Sequence, residues 1–284
     1  MHNLRSEIKH NFLKQLIFRL DYEGILEADV EKCVFELRSQ LYAAGFTSMD
    51  TRIENQLDMQ LKMDLNIPDQ NQFSISNTNK CLIYTFKTDS SEILEISKNF
   101  FSLTVDVEDG YGTFDKYIDL LTEVIYEIKN VSPYFRTHRI SLRKINICFL
   151  SKLDELSTYF TRAAFNLTDV IEQFSEYGCS ASNIVTILSR DGYRVNYVRN
   201  IQEGVMQQED GTQNTTYQIA LDVDVYKESN KEIVSTLKEK SLIKQELERQ
   251  NSIEFEVFIK SLSDKLIALL KQDTFDDSVI NGVI

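Results

Sequence analysis

Between residues 52 and 65 the chain alternates apolar and polar positions. Ile53, Leu57, Met59, Leu61, Met63 and Leu65 share one face, and Glu54, Gln56, Asp58, Gln60, Lys62 and Asp64 share the other. A period of two predicts a strand with one face in the core and the other toward water or a partner. The period lengthens over 27–44, where Val30, Val34, Leu37, Leu41 and Ala44 recur at three- and four-residue steps before Gly45. That spacing predicts an amphipathic helix with a glycine stop. It recurs after Thr113, the expected N-cap, with Phe114, Tyr117, Ile118, Leu121, Val124, Ile125 and Ile128 on one broad stripe.

Apolar runs predict further strands at 12–22, 81–87, 92–97 and 100–107, with the polar, Pro68-bearing stretch 66–79 as a loop. Strand 139–150 ends in INICFL, apolar on both faces, which marks it as central and covered on two sides. Residues 153–178 predict two short helical pieces. A meander of strands at 183–189, 193–206 and 215–226 follows, turned at Asp191-Gly192 and around Asp210-Gly211. One long helix or two consecutive helices then fill 229–270, with Ile253, Val257, Leu262, Leu266, Leu269 and Leu270 on the apolar face of the second part.

Hairpins outnumber crossovers in this order. It predicts an α+β protein whose mainly antiparallel sheet is packed by amphipathic helices and which closes on a long C-terminal helix. Two intimately packed halves are expected, an α+β half over 1–152 and a three-strand meander plus long helix over 153–284. "TVDVEDGYG" precedes one amphipathic helix and "LDVDVYKES" another. A decayed duplication and chance both account for that echo.

Composition narrows the function classes. The 284 residues carry a net charge of −13, which repels nucleic-acid phosphates and anionic membranes at long range. An acidic surface suits a protein partner and admits a homo-oligomer. Cys33, Cys81, Cys148 and Cys179 are far apart, with no C-x-x-C, so buried free thiols in a reducing cytoplasm are expected. The polar start MHNLRSE is no signal peptide, and no run approaches ~18 apolar residues, so a cytoplasmic protein with no membrane span is expected. No phosphate-binding glycine motif occurs, and no cofactor is implied. His2 and His10 lie in an N-terminal segment expected to be a mobile tail, so of the three histidines His138 alone offers a catalytic base.

The remaining candidate chemistry is acidic. Asp222 and Asp224, in LDVDV, share a face if 215–226 is a strand, and Asp106 and Glu108 alternate alike on another. Four converging carboxylates would bind Mg²⁺ or Mn²⁺. Alternating polarity alone explains the pattern as well. Arg143 enters a strand that is becoming buried, and a buried guanidinium needs a carboxylate partner. Asp106, Asp222 or Asp224 could supply it as a structural ion pair. Alternatively, Arg143 receives the acidic group of a ligand or partner.

Three stretches, FFSLTVDVEDGYGTFDKYIDLLTEVI, ISLRKINICFL and IALDVDVYK, occur in this order. With Leu142-Arg143-Lys144-Ile145-Asn146, Leu221-Asp222-Val223-Asp224 and a C-terminal helix bearing Phe255 and Phe258, the chain resembles an uncharacterised, sporadically distributed prokaryotic family of about this length. The absence of tryptophan departs from that family's aromatic content. The resemblance implies no catalytic role, and its patchy distribution is similar to that of anti-phage defence genes. Three functions are then open. The first is a non-enzymatic protein-interaction or regulatory subunit of a defence or toxin-control locus. The second is a SecB-like chaperone for non-native chains. The third is a metal-dependent hydrolase or nuclease using Asp106, Glu108, Asp222 and Asp224.

Overall fold

The computed structural model describes residues 2–62, 72–107, 113–166, 176, 178–207, 213–275 and 280. After a short helix α1 (His2–Glu7), the first half runs β1 (Leu13–Glu23), α2 (Glu27–Ala43), β2 (Ser48–Lys62), β3 (Gln72–Lys87), β4 (Glu92–Ile96), β5 (Phe100–Asp106) and α3 (Asp115–Asn130). The second runs β6 (Arg136–Leu150), a 3₁₀ turn at Leu153–Glu155, α4 (Leu156–Tyr159), β7 (Ala181–Arg190), β8 (Tyr193–Gln207) and β9 (Gln213–Lys227). Helices α5 (Asn230–Thr236), α6 (Lys240–Ser261) and α7 (Asp264–Leu270) follow. This is the expected α+β fold with an antiparallel sheet and a long C-terminal helix.

All nine described strands join one sheet in the order β2-β3-β4-β5-β1-β6-β9-β8-β7. Each half follows the same path. A first strand (β1 or β6) leaves the sheet through a helical crossover, a meander returns, and the meander's last strand (β5 or β9) pairs with the first. A helix then packs back. The two first strands lie side by side and antiparallel at the centre. The first meander has four strands and the second three.

Local chemistry explains the elements. In α2, Val30, Val34, Leu37 and Leu41 are buried, and the Asp29 carboxylate accepts the Leu26 amide at 3.0 Å. Gly45 turns the chain at φ +97°. Helix α3 buries the expected stripe, but Thr113 does not cap it. The N-cap is Phe114, and the Thr113 hydroxyl donates to Asp115 at 3.3 Å instead. The β7–β8 turn has positive φ at Asp191 and Gly192 (51° and 80°), the two left-handed residues that a tight antiparallel hairpin requires. At Gly24 (φ +82°) an added Cβ would sit 2.0 Å from the Tyr134 carbonyl oxygen, so the exit from β1 needs glycine.

Two expectations change. The loop predicted over 66–79 is shorter, because β3 starts at Gln72 and pairs with β2 as far as Lys62. Backbone groups that find partners in a neighbouring strand stay extended even where the residues are polar. The N-terminus forms α1 rather than a loose tail, with Arg5 donating to the Asn251 carbonyl at 2.7 Å and Glu7 bonded to Lys271 at 2.6 Å. Pro68, Glu108, Gly110, Gly112, Asp210 and Gly211, and much of the helical stretch expected over 153–178, lie outside the described residues.

Every described helix lies on one face of the sheet. Beneath them are two hydrophobic cores. One gathers Phe18, Leu20, Leu37, Leu94, Leu121 and Leu142; the other gathers Phe12, Cys148, Ile219, Leu221, Phe258 and Leu266. Helix α6 spans both and packs against α3, β6 and β9. The four thiols are free; Cys33, Cys81 and Cys148 are buried and Cys179 is partly exposed. Burial pushes the Cys33 thiol up to about 12, and that of Cys148 up as well. A thiol-specific disulfide reagent at pH 8 should therefore titrate Cys179 alone in the folded protein, and all four thiols once it is unfolded.

Candidate functional site

Strand pairing brings most of the acidic and basic candidates together on the face without helices. Register sets Arg143 opposite Asp224 and Ile145 opposite Asp222, so all four residues share that face. The Arg143 guanidinium reaches diagonally to Asp222, with Nε to Oδ1 at 2.8 Å and Nη2 to Oδ2 at 2.5 Å. Arg139 takes Asp224 and lies 4.3 Å from the centroid of the Tyr226 ring. The two strands thus carry alternating arginines and aspartates in a ladder. Of the three carboxylates that could meet Arg143, the sheet selects Asp222.

The ladder is only partly wet. Burial raises the Asp224 carboxyl above its ordinary 3.8, against the pull of Arg139 and Arg143. Its Oδ1 and the Arg139 Nε are buried without a hydrogen-bond partner. The Arg143 pKa rises, chiefly through its bond to Asp222.

Asp106 does not join them. It stands opposite Gln15, whose amide donates to it at 2.7 Å, and strands β1 and β6 separate it from β9. Three interstrand spacings make roughly 14 Å. Asp222 and Asp224 therefore meet arginines, and Asp106 meets an amide. Among the described residues no group of three or more His, Cys, Asp or Glu side chains could hold a metal ion. His138 is exposed at the start of β6, with its Nε2 3.4 Å from Glu23.

On the helix side a second polar group lies beneath α6. Lys144 follows Arg143 and so points the other way. Its side chain is 12% exposed and its ammonium donates to Glu254 at 2.6 Å and Asn251 at 2.8 Å. One strand away Lys227 donates to Glu246 at 2.6 Å, which also accepts the Tyr193 hydroxyl at 3.0 Å. Gln250 bridges from Glu246 (3.1 Å) toward the Ile140 carbonyl (3.4 Å). Burial and the Glu246 carboxylate push the Tyr193 hydroxyl well above its usual range. A cavity of about 120 Å³ beside this belt is lined by Arg5, Leu13, Phe114, Lys144, Asn146 and Glu254. Both lysines are held by carboxylates, so neither offers a free amine.

The belt was not anticipated from the sequence. Its trace is there nonetheless: Glu246, Gln250 and Glu254 recur every four residues on α6, and Lys144 alternates away from Arg143. No protein-family model matches this chain, and no curated protein sequence does.

The two sets of ion pairs differ in solvent access, and their removal should differ accordingly. Glu254→Ala strands the Lys144 ammonium in the interior and should lower unfolding free energy by ~3–5 kcal/mol. Asp222→Ala, on a guanidinium that remains 43% exposed, should cost less than ~1 kcal/mol. Urea denaturation followed by circular dichroism reads both.

A second prediction concerns pH. The folded form of Asp224 binds a proton at a pH where the unfolded form does not, so this group opposes folding at neutral pH. The penalty fades as pH falls through the folded pKa. Carboxyl-detected NMR should place the Asp224 midpoint above 3.8.

Proposed function

We propose that the chain is a non-enzymatic protein-interaction or regulatory subunit and that it receives its partner on the helix-free face of the sheet. The observation that carries this is that all the described helices cover one side of the nine-stranded sheet. The centre of the free face holds Ile17, Ile145, Ile147, Phe149 and Val198, all half-buried rather than sealed. Beside them the charges are matched in pairs: Arg143 with Asp222, Arg139 with Asp224, Arg19 with Asp21 and Arg52 with Glu95. A surface that is apolar at its centre and locally neutral, on a chain of net charge −13, is the least costly place for another protein to dock.

A small cluster of Cys81, Ile83 and Phe100 closes the β3–β5 end of that face, with the Arg19 guanidinium 4.4 Å from the Phe100 ring centroid. The partner that fits is a folded protein with a flat, largely apolar face. A defence or toxin-control setting belongs to this reading through the family resemblance alone.

Native mass spectrometry of the protein from its own host tests the reading. A co-purifying polypeptide at fixed stoichiometry is expected, and Ile147→Asp with Val198→Asp should release it. Phe35→Asp, on the 61% exposed outer side of α2, should leave it bound. Release by the α2 variant and not by the sheet variants would overturn the assignment of the face. Suppression of aggregation of many unrelated unfolded proteins would favour the SecB-like chaperone instead.

A further inference from the structure

The sheet ends in two edges of opposite character. The β2 edge carries Asp50, Arg52 and Glu54 close together, the kind of charge that blocks pairing with another chain. Among the described residues the β7 edge has none of these protections. Residues 181–189 (ASNIVTILS) contain no charged residue and no proline, and β7 pairs with β8 over all ten residues without a bulge. Val185 and Ile187 are 57% and 63% exposed, and Leu188 is 42% exposed. The first charge is Arg190, already engaged by Glu256 at 3.0 Å and Asp191 at 3.4 Å.

We infer that β7 is a homodimerisation edge, pairing antiparallel with β7 of a second copy about a two-fold axis at Thr186. This goes beyond the docking of a partner on the sheet face. The register follows from the sequence. Facing residues in an antiparallel pair lie on the same side of the sheet, so the axis must pass through a residue. At Thr186, Val185 faces Ile187 of the copy on the helix-free side, and Ile184 faces Leu188 on the helix side. Asn183 then faces Ser189. Moving the axis to Val185 sets Ile187 against Asn183, and moving it to Ile187 sets Val185 against Ser189. The axis at Thr186 alone matches apolar with apolar on both faces.

Charge restricts where a second copy can meet this one. Two copies each carrying −13 repel at long range, and they approach at least cost where neither presents charge. Backbone hydrogen bonds supply the affinity and the four apolar pairs the register. The product is one continuous eighteen-stranded sheet, twice the nine of one chain. Its helices stay on one side and its two free faces are contiguous on the other.

Sedimentation velocity on the purified full chain tests this. The expected result is a dimer at micromolar concentration, of about 66 kDa against 33.0 kDa for one chain. Added salt should raise the dimer fraction, because it screens the net repulsion. Val185→Lys with Ile187→Lys sets like charges opposite each other twice and should weaken association at least tenfold. Both positions are exposed, so folding should be kept, as circular dichroism would verify. Val185→Lys with Ile187→Glu sets opposite charges together at both places and should restore the dimer. A monomer up to 100-fold higher concentration would overturn the inference. So would a dimer indifferent to the paired lysines, disruption equal in both double variants, or a monomer that takes a foreign extended peptide along β7.

Discussion

Strand β6 is hydrogen-bonded along both of its edges, and the two halves of the molecule meet only through it within the sheet. Its register with β1 holds the first meander, and its eleven-residue register with β9 holds the second. The strand meets that demand by dividing its residues. Ile140, Leu142, Cys148 and Leu150 enter the cores, and Arg139, Arg143, Ile145, Ile147 and Phe149 supply the free face. Lys144 and Asn146 interrupt the apolar side midway. That interruption is where one core ends and the other begins, and α6 answers it with Glu254 and Asn251. A fully apolar seam would be at least as stable in principle. The polar belt restricts how α6 can sit, because each buried lysine accepts only the helical register that brings its carboxylate.

Much of this was legible. The stripes of α2 and α3, the alternation of β2 and the Asp191-Gly192 turn are local patterns, set by spacing within a dozen residues. They predicted the element types and the antiparallel class. INICFL is central as expected, between β1 and β9, but the expected cover on two sides is found on one: Cys148 and Leu150 enter the core, whereas Ile145, Ile147 and Phe149 stay half-buried on the face that no described helix covers. The early start of β3 was not legible. Its polar residues read as a loop, and only the facing strand makes them extended.

The site was legible in its residues and not in its pairings. Arg143 had three carboxylates open to it, and choosing among them needs the order of strands. That order places Asp106 two strands away, beyond β1, and Asp222 on the next strand. Sequence alternation fixes a face but carries no information about neighbours across a sheet. The lysines were hidden for a related reason. Lys144 and Lys227 sit in strands and Glu254 and Glu246 in a helix, joined across 110 and 19 residues of chain. Only packing of helix on sheet brings them within reach.

The LDVDV carboxylates illustrate how such an ambiguity is decided. A divalent cation and a guanidinium compete for the same oxygen lone pairs. A cation needs several carboxylates on one point, whereas an arginine needs one carboxylate in its plane. In a strand pair, residues of one face lie about 5–7 Å apart, too far for successive aspartates to share an ion without help from other elements. The neighbouring strand β6 offers arginines at the matching period instead, and each aspartate is taken singly. Asp224 meets the harder condition, since burial works against its charge while Arg139 supports it. The outcome is a face whose central aspartates, Asp222 and Asp224, are neutralised where they stand. A neutral, half-apolar sheet face on an acidic protein is the physical basis for reading it as a place of contact rather than of catalysis.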